Sequence, residues 1–321
     1  MSTKGLTDIP GVLVGHASDY TGLTGCTVVL FAGGAVGGVD IRGSATGTEE
    51  LDLLNPLHLT ERVHAVVLAG GSVFGLEAAS GVRRYLEHKG IGYQTPEAKV
   101  PLVPAAILYD LAIGKAGARP TREMGEVAAG AASSEAVPEG AVGAGTGATV
   151  GKLLGMDHAM KSGLGTATVA MPGGVLVAAL AAVNALGDVI DPKTGGVVAG
   201  ARTARDSMEF ANSAAILEQG VGRSPLSQGH NTTLVVVATN ARLNKVGATK
   251  LAQFGSLGVA RTVAPVWTTF DGDITFAFSC GTLDADINAL GVAAAEAVSQ
   301  AILRAVRLAP SLGGLPGLAG R

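Results

Sequence analysis

Cysteine, histidine and aromatic residues are all scarce in this chain of 321 residues. Its two cysteines, Cys26 and Cys280, are far apart in sequence, which excludes a disulfide-rich scaffold and predicts two free thiols. The six histidines are dispersed without the spacing of metal ligands, so we expect no metal and no cofactor. The remaining function classes therefore have to rely on side-chain and backbone chemistry alone.

Charge is also sparse, since only 15% of the residues are charged and the formal net charge is −3. The 23 lysines and arginines are scattered singly, which argues against nucleic acid or an anionic membrane as a partner. Residues 1–4 carry no sign of a signal peptide, and we expect a cytoplasmic protein. The longest apolar stretch, 167–187, is interrupted by Pro172-Gly173-Gly174, so it predicts a strand–turn–strand hairpin and no membrane span.

Glycine, by contrast, is abundant, with 48 residues, and small side chains allow layers of structure to approach closely. Apolar periodicity predicts strands at 26–31, 65–69, 167–171, 175–183, 234–239 and 274–279, and helices at 75–88, 124–134, 245–258 and 286–306. The segment 203–230 is polar and predicted to be an irregular exposed loop, and the Gly- and Pro-rich tail 309–321 is predicted to be disordered. No linker divides the chain, so 1–321 is predicted to be a single domain.

The run 229–240, Gly-His-Asn-Thr-Thr-Leu-Val-Val-Val-Ala-Thr-Asn, changes from a polar loop to an apolar strand at Thr232. Taken alone, Asn231-Thr232-Thr233 is typical of a turn that leads into a strand. If the Thr232 hydroxyl cuts the bond after Asn231, however, the new chain begins with a nucleophile and a free α-amine in one residue. The ordinary pKa of that amine, about 7.7–8.0, suits it to accept the hydroxyl proton near neutral pH.

Seven segments in order extend this hypothesis to most of the chain. They are IPGVLVGH at 9–16, GLTGCTV at 22–28, LAGGSVFGLEA at 68–78, VPAAILYD at 103–110, GAGTGA at 143–148, NTT at 231–233 and FDGD at 270–273. In these segments the chain resembles the DmpA-type family of self-processing aminopeptidases, amidases and esterases, which includes β-aminopeptidases, pantetheine hydrolases and nylon-oligomer hydrolases. The resemblance implies a four-layer α-β-β-α sandwich of the N-terminal-nucleophile (DmpA/ornithine-acetyltransferase-like) type, an α/β fold.

The resemblance also assigns roles to three charged residues around Thr232, the implied nucleophile. Asp271 and Asp273 are two apart at a probable strand start, so they share a face and could hold the Thr232 ammonium. By itself Asp-Gly-Asp is typical of a β-turn. Lys152 follows the glycine-rich stretch 143–151 and matches a lysine of the nylon-oligomer branch, where its charge would favour a deprotonated hydroxyl. A lone lysine is otherwise a solvated surface group. The two aspartates also follow the nylon-oligomer pattern.

Two uncharged residues complete the implied site. Asn184 ends an apolar run, and its match in the family donates a hydrogen bond to the oxyanion. Tyr109 matches a tyrosine that contacts substrate in some members, although a half-buried core tyrosine explains it about as well.

Two other classes of function are weighed against this one. Gly70-Gly71-Ser72-Val73-Phe74 resembles a serine-hydrolase elbow, but the elbow requires glycine at position 74. The segment 145–152 resembles a phosphate loop of a nucleotide-binding module, but positions 146 and 153 are threonine and leucine where the pattern requires glycine and serine or threonine. Both patterns therefore fail.

The sequence thus predicts an amide hydrolase that cuts itself into an α-chain, 1–231, and a β-chain, 232–321. The resemblance implies a homo-oligomer, a tetramer of αβ units, with a small-molecule amide or oligomer as the substrate. The two aspartates with Lys152 favour 6-aminohexanoate oligomers. Short peptides with a free amine, β-amino amides, esters and pantetheine-like amides stay open as alternatives.

Overall fold

One nine-stranded sheet organises the computed structural model, which describes residues 4–220 and 231–320. The strands are β1 (Val12–Asp19), β2 (Thr24–Ile41), β3 (Thr48–Glu49), β4 (Arg62–Ala69), β5 (Tyr93–Gln94), β6 (Lys99–Val100), β7 (Ala105–Ile107), β8 (Thr149–Val150), β9 (Met160–Lys161), β10 (Leu164–Ala170), β11 (Leu176–Asn184), β12 (Asp188–Ile190), β13 (Val197–Ala199), β14 (Thr232–Ala241), β15 (Val263–Ala264) and β16 (Ile274–Leu283). The helices are α1 (Glu77–His88), α2 (Arg122–Gly130), α3 (Ser213–Glu218), α4 (Lys245–Thr262) and α5 (Ile287–Arg307). The sheet order is β10-β11-β14-β16-β2-β4-β7-β3, with β1 also paired to β2.

The long strand β2 belongs to two halves of this sheet. Its first part pairs with β1 and β4, whereas residues 36–41 pair with β16. The pairing with β4 shifts register between Leu30 and Ala35, where Gly34 has a φ of +68°, a value that glycine adopts without steric cost. The bulge therefore lets one strand pass from one half of the sheet to the other.

Strict alternation of side chains divides the core into three apolar layers. One face of β11 and β14 packs against α4 and α5 through Val177, Ala179, Ala181, Val235 and Val237. The opposite face meets the other half of the sheet through Leu180, Leu234, Val236, Phe276, Phe278, Val29, Phe31, Val66 and Leu68. The outer face of that half packs against α1 and α2 through Cys26, Val28, Leu30, Ala65 and Val67. The order of layers is helix, sheet, sheet, helix, which confirms the predicted sandwich.

The predicted elements are all present in the described residues. Each of the six predicted strands and four predicted helices overlaps an observed one, with ends that differ by at most four residues except for β2, which continues ten residues beyond the predicted end at residue 31. The hairpin is confirmed, since β10 and β11 pair antiparallel across a turn at Pro172–Gly174. Helix α5 is long and apolar enough to cross a membrane by composition, but 72% of its most apolar window is buried in the fold. Cys26 and Cys280 are both free.

Two predictions about irregular segments need correction. Part of 203–220 is helical, since α3 begins after Asn212, whose side chain accepts a hydrogen bond from the Ala215 N–H. Residues 221–230 lie outside the described part of the chain. The prediction of a disordered tail is wrong for 309–320, because Leu315 packs into a small apolar cluster with Leu23 and the Pro316 carbonyl accepts the Lys161 N–H. Glycine and proline serve here for tight turns that fold the tail back onto the domain.

Candidate active site

Thr232 is the first residue of β14, in the middle of the sheet between β11 and β16. Its partner in the antiparallel register with β11 is Asn184, the last residue of that strand. Both residues have the parity of Leu234 and Leu180, so their side chains face the layer between the two halves of the sheet. Thr232 is 2% exposed and Asn184 is fully buried. The strand end thus places a hydroxyl and an amide side by side at the edge of the interior layer.

The Asn231 carbonyl, on the peptide bond before Thr232, accepts hydrogen bonds from two donors. The Thr232 hydroxyl donates to the Asn231 carbonyl oxygen at 2.6 Å, and the Gly272 N–H donates to the same oxygen at 2.6 Å. The second bond arises because Asn231 forms an isolated parallel bridge with Asp271, in the same register as the β14–β16 ladder that begins three residues later at Leu234 and Ile274. The hydroxyl therefore lies beside the carbonyl group of the preceding residue, with a backbone donor already at the oxygen.

The two aspartates on either side of Gly272 are both buried and lie just before the first residue of β16, Ile274, where the strand was predicted to begin. Asp271 Oδ2 accepts the Thr268 N–H at 2.8 Å and the Thr268 hydroxyl at 2.7 Å. Asp273 Oδ1 accepts the Thr233 N–H at 2.5 Å. Burial raises the pKa of both carboxyls, and the charge of Asp271 raises the pKa of Asp273 further. Two carboxylates this close resist being ionised together unless a cation joins them.

Lys152 supplies the positive charge of the site and is hydrogen-bonded to Asn184. The Lys152 ammonium donates to the Asn184 carbonyl oxygen at 2.8 Å and to Asn184 Oδ1 at 2.9 Å. Burial lowers the pKa of Lys152 to about 7, while the charges of Asp271, Asp110 and Asp273 oppose that shift. Lys152 is thus a cation poised to lose its proton near neutral pH, within the field of both site aspartates.

The side-chain amide of Asn184 is fixed by hydrogen-bond donors at its oxygen and an acceptor at its nitrogen. Its Oδ1 also accepts the Thr149 N–H at 3.1 Å, and its Nδ2 donates to the Tyr109 carbonyl at 2.9 Å. In the uncut chain the amide nitrogen therefore donates to the Tyr109 carbonyl, and the backbone donor at the Asn231 carbonyl is the Gly272 N–H. Tyr109 enters the site through its backbone carbonyl, and its predicted contact with substrate stays a prediction.

The structure brings together all the residues predicted for the site: Thr232, Lys152, Asn184, Asp271, Asp273, Tyr109 and the junction residue Asn231. Sequence reasoning missed Gly272, Thr149 and Thr268, which act through backbone groups or a single hydroxyl. The glycine between two predicted carboxylates was the one available signal. Within residues 4–220 and 231–320, histidine, cysteine and carboxylate side chains form no group of three or more that could hold a metal ion.

This fold is that of the N-terminal-nucleophile hydrolases. It superimposes with a TM-score of 0.73 on an L-aminopeptidase/D-Ala-esterase/amidase from Ochrobactrum anthropi, described as a new variant among the Ntn hydrolase fold, at 22% identity over 98% of this chain and 88% of that one. A β-aminopeptidase of Burkholderia sp. matches with a TM-score of 0.70 at 23% identity, over 99% of this chain and 91% of that one.

Comparison of sequences identifies the family within this fold. The model of peptidase family S58 matches residues 4–319, and the chain belongs to that family. An uncharacterized aminopeptidase of Mycobacterium leprae (strain TN) is 39% identical over 97% of this chain and 92% of its own. A 6-aminohexanoate-oligomer endohydrolase of Kocuria sp. (strain KY2) is 32% identical over 94% of this chain and 85% of its own. The protein is therefore an amide or peptide hydrolase.

Proposed function

We propose that this protein is a self-processing amide hydrolase in which Thr232 cuts the chain before itself and then serves as the N-terminal nucleophile. The observation that carries the proposal is the junction geometry. The Thr232 hydroxyl lies 2.6 Å from the Asn231 carbonyl oxygen, and the Gly272 N–H already donates to that oxygen. A preformed donor at the oxygen where negative charge develops is the feature expected of an acyl-transfer site.

Maturation follows from this arrangement. The Thr232 oxygen attacks the Asn231 carbonyl carbon, and the oxyanion that forms is held by the Gly272 N–H. The proton of the Thr232 hydroxyl passes to the Thr232 nitrogen as the C–N bond breaks, and Asn231 is left as an ester on the Thr232 oxygen. Water hydrolyses that ester, which frees the carboxylate of Asn231 and the α-amine of Thr232.

Turnover repeats the chemistry with an external amide. The new α-amine accepts the proton of the Thr232 hydroxyl as the oxygen attacks the substrate carbonyl. The proton passes to the leaving amine, and water releases the acyl group from Thr232. Asn184 is proposed to add its second amide hydrogen to the oxyanion, although in the uncut chain its Nδ2 is bonded to the Tyr109 carbonyl.

The charged groups suit the two states of Thr232. Once cut, its ammonium would lie among Asp271 and Asp273, whose paired negative charges are otherwise costly in a buried site. Protonated Lys152 stabilises negative charge on the nucleophile and favours the neutral form of the nearby α-amine. Lys152 therefore raises the fraction of protein in which the amine is neutral and the hydroxyl reactive, whereas the two carboxylates favour the ammonium and hold it in place.

The proposed substrates are small linear amides, with 6-aminohexanoate oligomers favoured. The two aspartates and Lys152 support this choice, as does the similarity to the Kocuria endohydrolase. Aminopeptidase activity on short peptides with a free amine is the second candidate, because the relative from Mycobacterium leprae is named an aminopeptidase. A cytoplasmic homotetramer of αβ units completes the proposal, to be tested by mass measurement in solution and by fractionation.

Thr232→Ala tests the nucleophile. Purified wild-type protein should separate into fragments of about 23 and 9 kDa, the residue shares of 31.8 kDa, whereas the variant should stay whole and inactive. Thr233→Ala is the matched control, because Thr233 is the next residue and equally buried, and the variant keeps the backbone N–H that donates to Asp273 Oδ1. Cutting in Thr232→Ala, or none in Thr233→Ala and the wild type alike, would contradict the proposal.

A panel of amides tests the substrate class. Matured enzyme is incubated with 6-aminohexanoate oligomers, β-alanine amides, α-amino-acid amides and pantetheine, and the released amines are followed by mass spectrometry. Preference for the oligomers supports the favoured substrate. Preference for α-amino-acid amides with the oligomers untouched would instead establish the aminopeptidase candidate and leave Thr232 as the nucleophile.

A further inference from the structure

A second pair of buried charges, Lys161 and Asp110, lies behind the site. Lys161 is fully buried, and its ammonium donates to the carbonyls of Gly145 at 3.0 Å, Ala148 at 2.9 Å and Ser162. A charged side chain of this length is rarely buried without a specific set of partners. Two of the three carbonyls belong to the glycine-rich segment 143–151, so Lys161 anchors that segment from one side.

Asp110 holds the same segment from the other side. Its carboxylate accepts the Thr24 hydroxyl at 2.7 Å and the Gly71 N–H at 2.6 Å. Gly147 packs directly on it, since a Cβ on Gly147 would lie 2.6 Å from both the Cβ and Oδ2 of Asp110. The preceding residue, Tyr109, provides the carbonyl that accepts the Asn184 amide. Asp110 thus touches both the segment and the loop that orients Asn184.

The segment held between these two residues carries part of the site. Thr149 lies in it and binds Asn184 Oδ1, and Lys152 follows it and binds the same oxygen. We propose that Lys161 and Asp110 are positioning residues that clamp the segment 143–151 and so place Thr149, Lys152 and Asn184 against Thr232. The inference rests on the proposed function of Thr232 but concerns residues that touch neither the nucleophile nor the cleaved bond.

Asp110, one of the two residues that clamp the segment 143–151, also acts on the pKa of Lys152 through its charge. Asp110, Asp271 and Asp273 are the carboxylates whose charges raise the pKa of Lys152, and Asp110 also raises the pKa of Lys161. Burial opposes them and lowers the pKa of each lysine to about 7. Burial raises the pKa of Asp110 itself, and its hydrogen bonds with Gly71 and Thr24 and the charge of Lys161 oppose that shift. In its ionised form Asp110 favours the protonated form of Lys152 from a distance, whereas Lys161 acts by position.

Asp110→Asn separates the charge from the hydrogen bonds. Asparagine can accept the Gly71 N–H with its oxygen and donate its amide to the Thr24 hydroxyl, so the clamp keeps its contacts. Because the proposed mechanism needs protonated Lys152, kcat should fall as rising pH removes its proton, which gives the plot of kcat against pH a descending, alkaline limb. In Asp110→Asn we expect this limb to move to lower pH by about one unit, with KM nearly unchanged. An unmoved limb would overturn the electrostatic part of the proposal.

Lys161→Met and Lys161→Gln test the position. Methionine removes all three donors at similar volume, and we expect kcat and the rate of self-cleavage to fall at least about tenfold, with KM within twofold. Glutamine retains donors for two carbonyls and should recover part of the loss. Circular dichroism and the midpoint of thermal unfolding establish that the variants are folded. Wild-type kcat in folded Lys161→Met would overturn the proposal, as would equal losses in both variants.

Asp188→Asn is the control for the loss of a buried carboxylate. Asp188 is 1% exposed and accepts hydrogen bonds from Ala201 and Ser213. Burial raises the pKa of Asp188, and those hydrogen bonds lower it. We expect lower stability but an unmoved alkaline limb, and an equal shift in this variant would contradict a role specific to Asp110. Cutting by Thr232→Ala would refute the proposed function itself, whereas wild-type behaviour of the Asp110 and Lys161 variants would refute only the clamp.

Discussion

Replacing Gly272 by alanine perturbs the junction with a single methyl group. A Cβ on residue 272 would lie 2.6 Å from the Ala45 carbonyl oxygen and 2.8 Å from Thr232 Oγ1. Non-bonded heavy atoms reach their optimal separation at about 3.5–4.0 Å, so at least one of these neighbours must move. Ala45 is itself held, because its N–H donates to the Asp271 carbonyl at 2.9 Å. The strain therefore falls on the Gly272 N–H or on the Thr232 hydroxyl.

Either movement weakens the geometry that self-cleavage requires. Loss of one oxyanion donor typically costs about 10²–10³ in rate, or roughly 2.7–4 kcal/mol of transition-state stabilisation. We expect Gly272→Ala to mature at least about a hundredfold more slowly than the wild type. The fraction of intact chain is followed over days by gel electrophoresis and intact-mass measurement.

Gly117→Ala is the matched control, since a Cβ on Gly117 would meet nothing within 4 Å. This variant should mature at the wild-type rate with an unchanged unfolding midpoint. If folded Gly272→Ala is cut as fast as the wild type, the Gly272 N–H is not the donor at the Asn231 carbonyl and the mechanism loses its main geometric support.

Three further predictions follow from the site and the core. Asp271→Asn or Asp273→Asn should lower the rate of maturation, turnover or both by at least about tenfold, because each change removes a buried charge from the site and, once the chain is cut, a partner of the Thr232 ammonium; normal rates in both would refute the assignment. Because the pKa of Lys152 is about 7, its ammonium loses a proton as pH rises through that value, and kcat should fall there. Lys152→Met should be slow at every pH, and its kcat should not show this fall near pH 7. Leu315→Ala should lower the free energy of unfolding in urea by about 2 kcal/mol, because Leu315 is buried against Leu23 and Ile113, and an unchanged midpoint would show that the tail does not contribute to the fold.

Much of the fold could be predicted because local sequence patterns indicate its strands, helices and turns. Alternating apolar residues located the central strands, and Pro172–Gly174 located the hairpin between β10 and β11. The change from polar loop to apolar strand at Thr232 located the candidate nucleophile at a strand start, and the order of the seven segments indicated the family. These signals need no knowledge of which residues meet in space.

Other features depend on contacts between distant parts of the chain, and the sequence could not supply them. The bulge in β2 depends on its pairing with both β4 and β16, and the order of the tail depends on an apolar cluster formed with Leu23. Neither β2 nor the tail carries a local pattern that reveals such partners. The glycine- and proline-rich composition of the tail even favoured the wrong prediction.

The chemistry of the site shows the same division. Sequence by itself determined which side chains could act: a hydroxyl, two carboxylates, a lysine and an amide. Only the tertiary structure decided that the Gly272 N–H meets the Asn231 carbonyl, that the Asn184 amide turns toward Tyr109, and that burial brings the pKa of Lys152 to about 7. The physical reason is that hydrogen-bond geometry and desolvation are properties of three-dimensional surroundings, which here join residues that lie far apart in the chain.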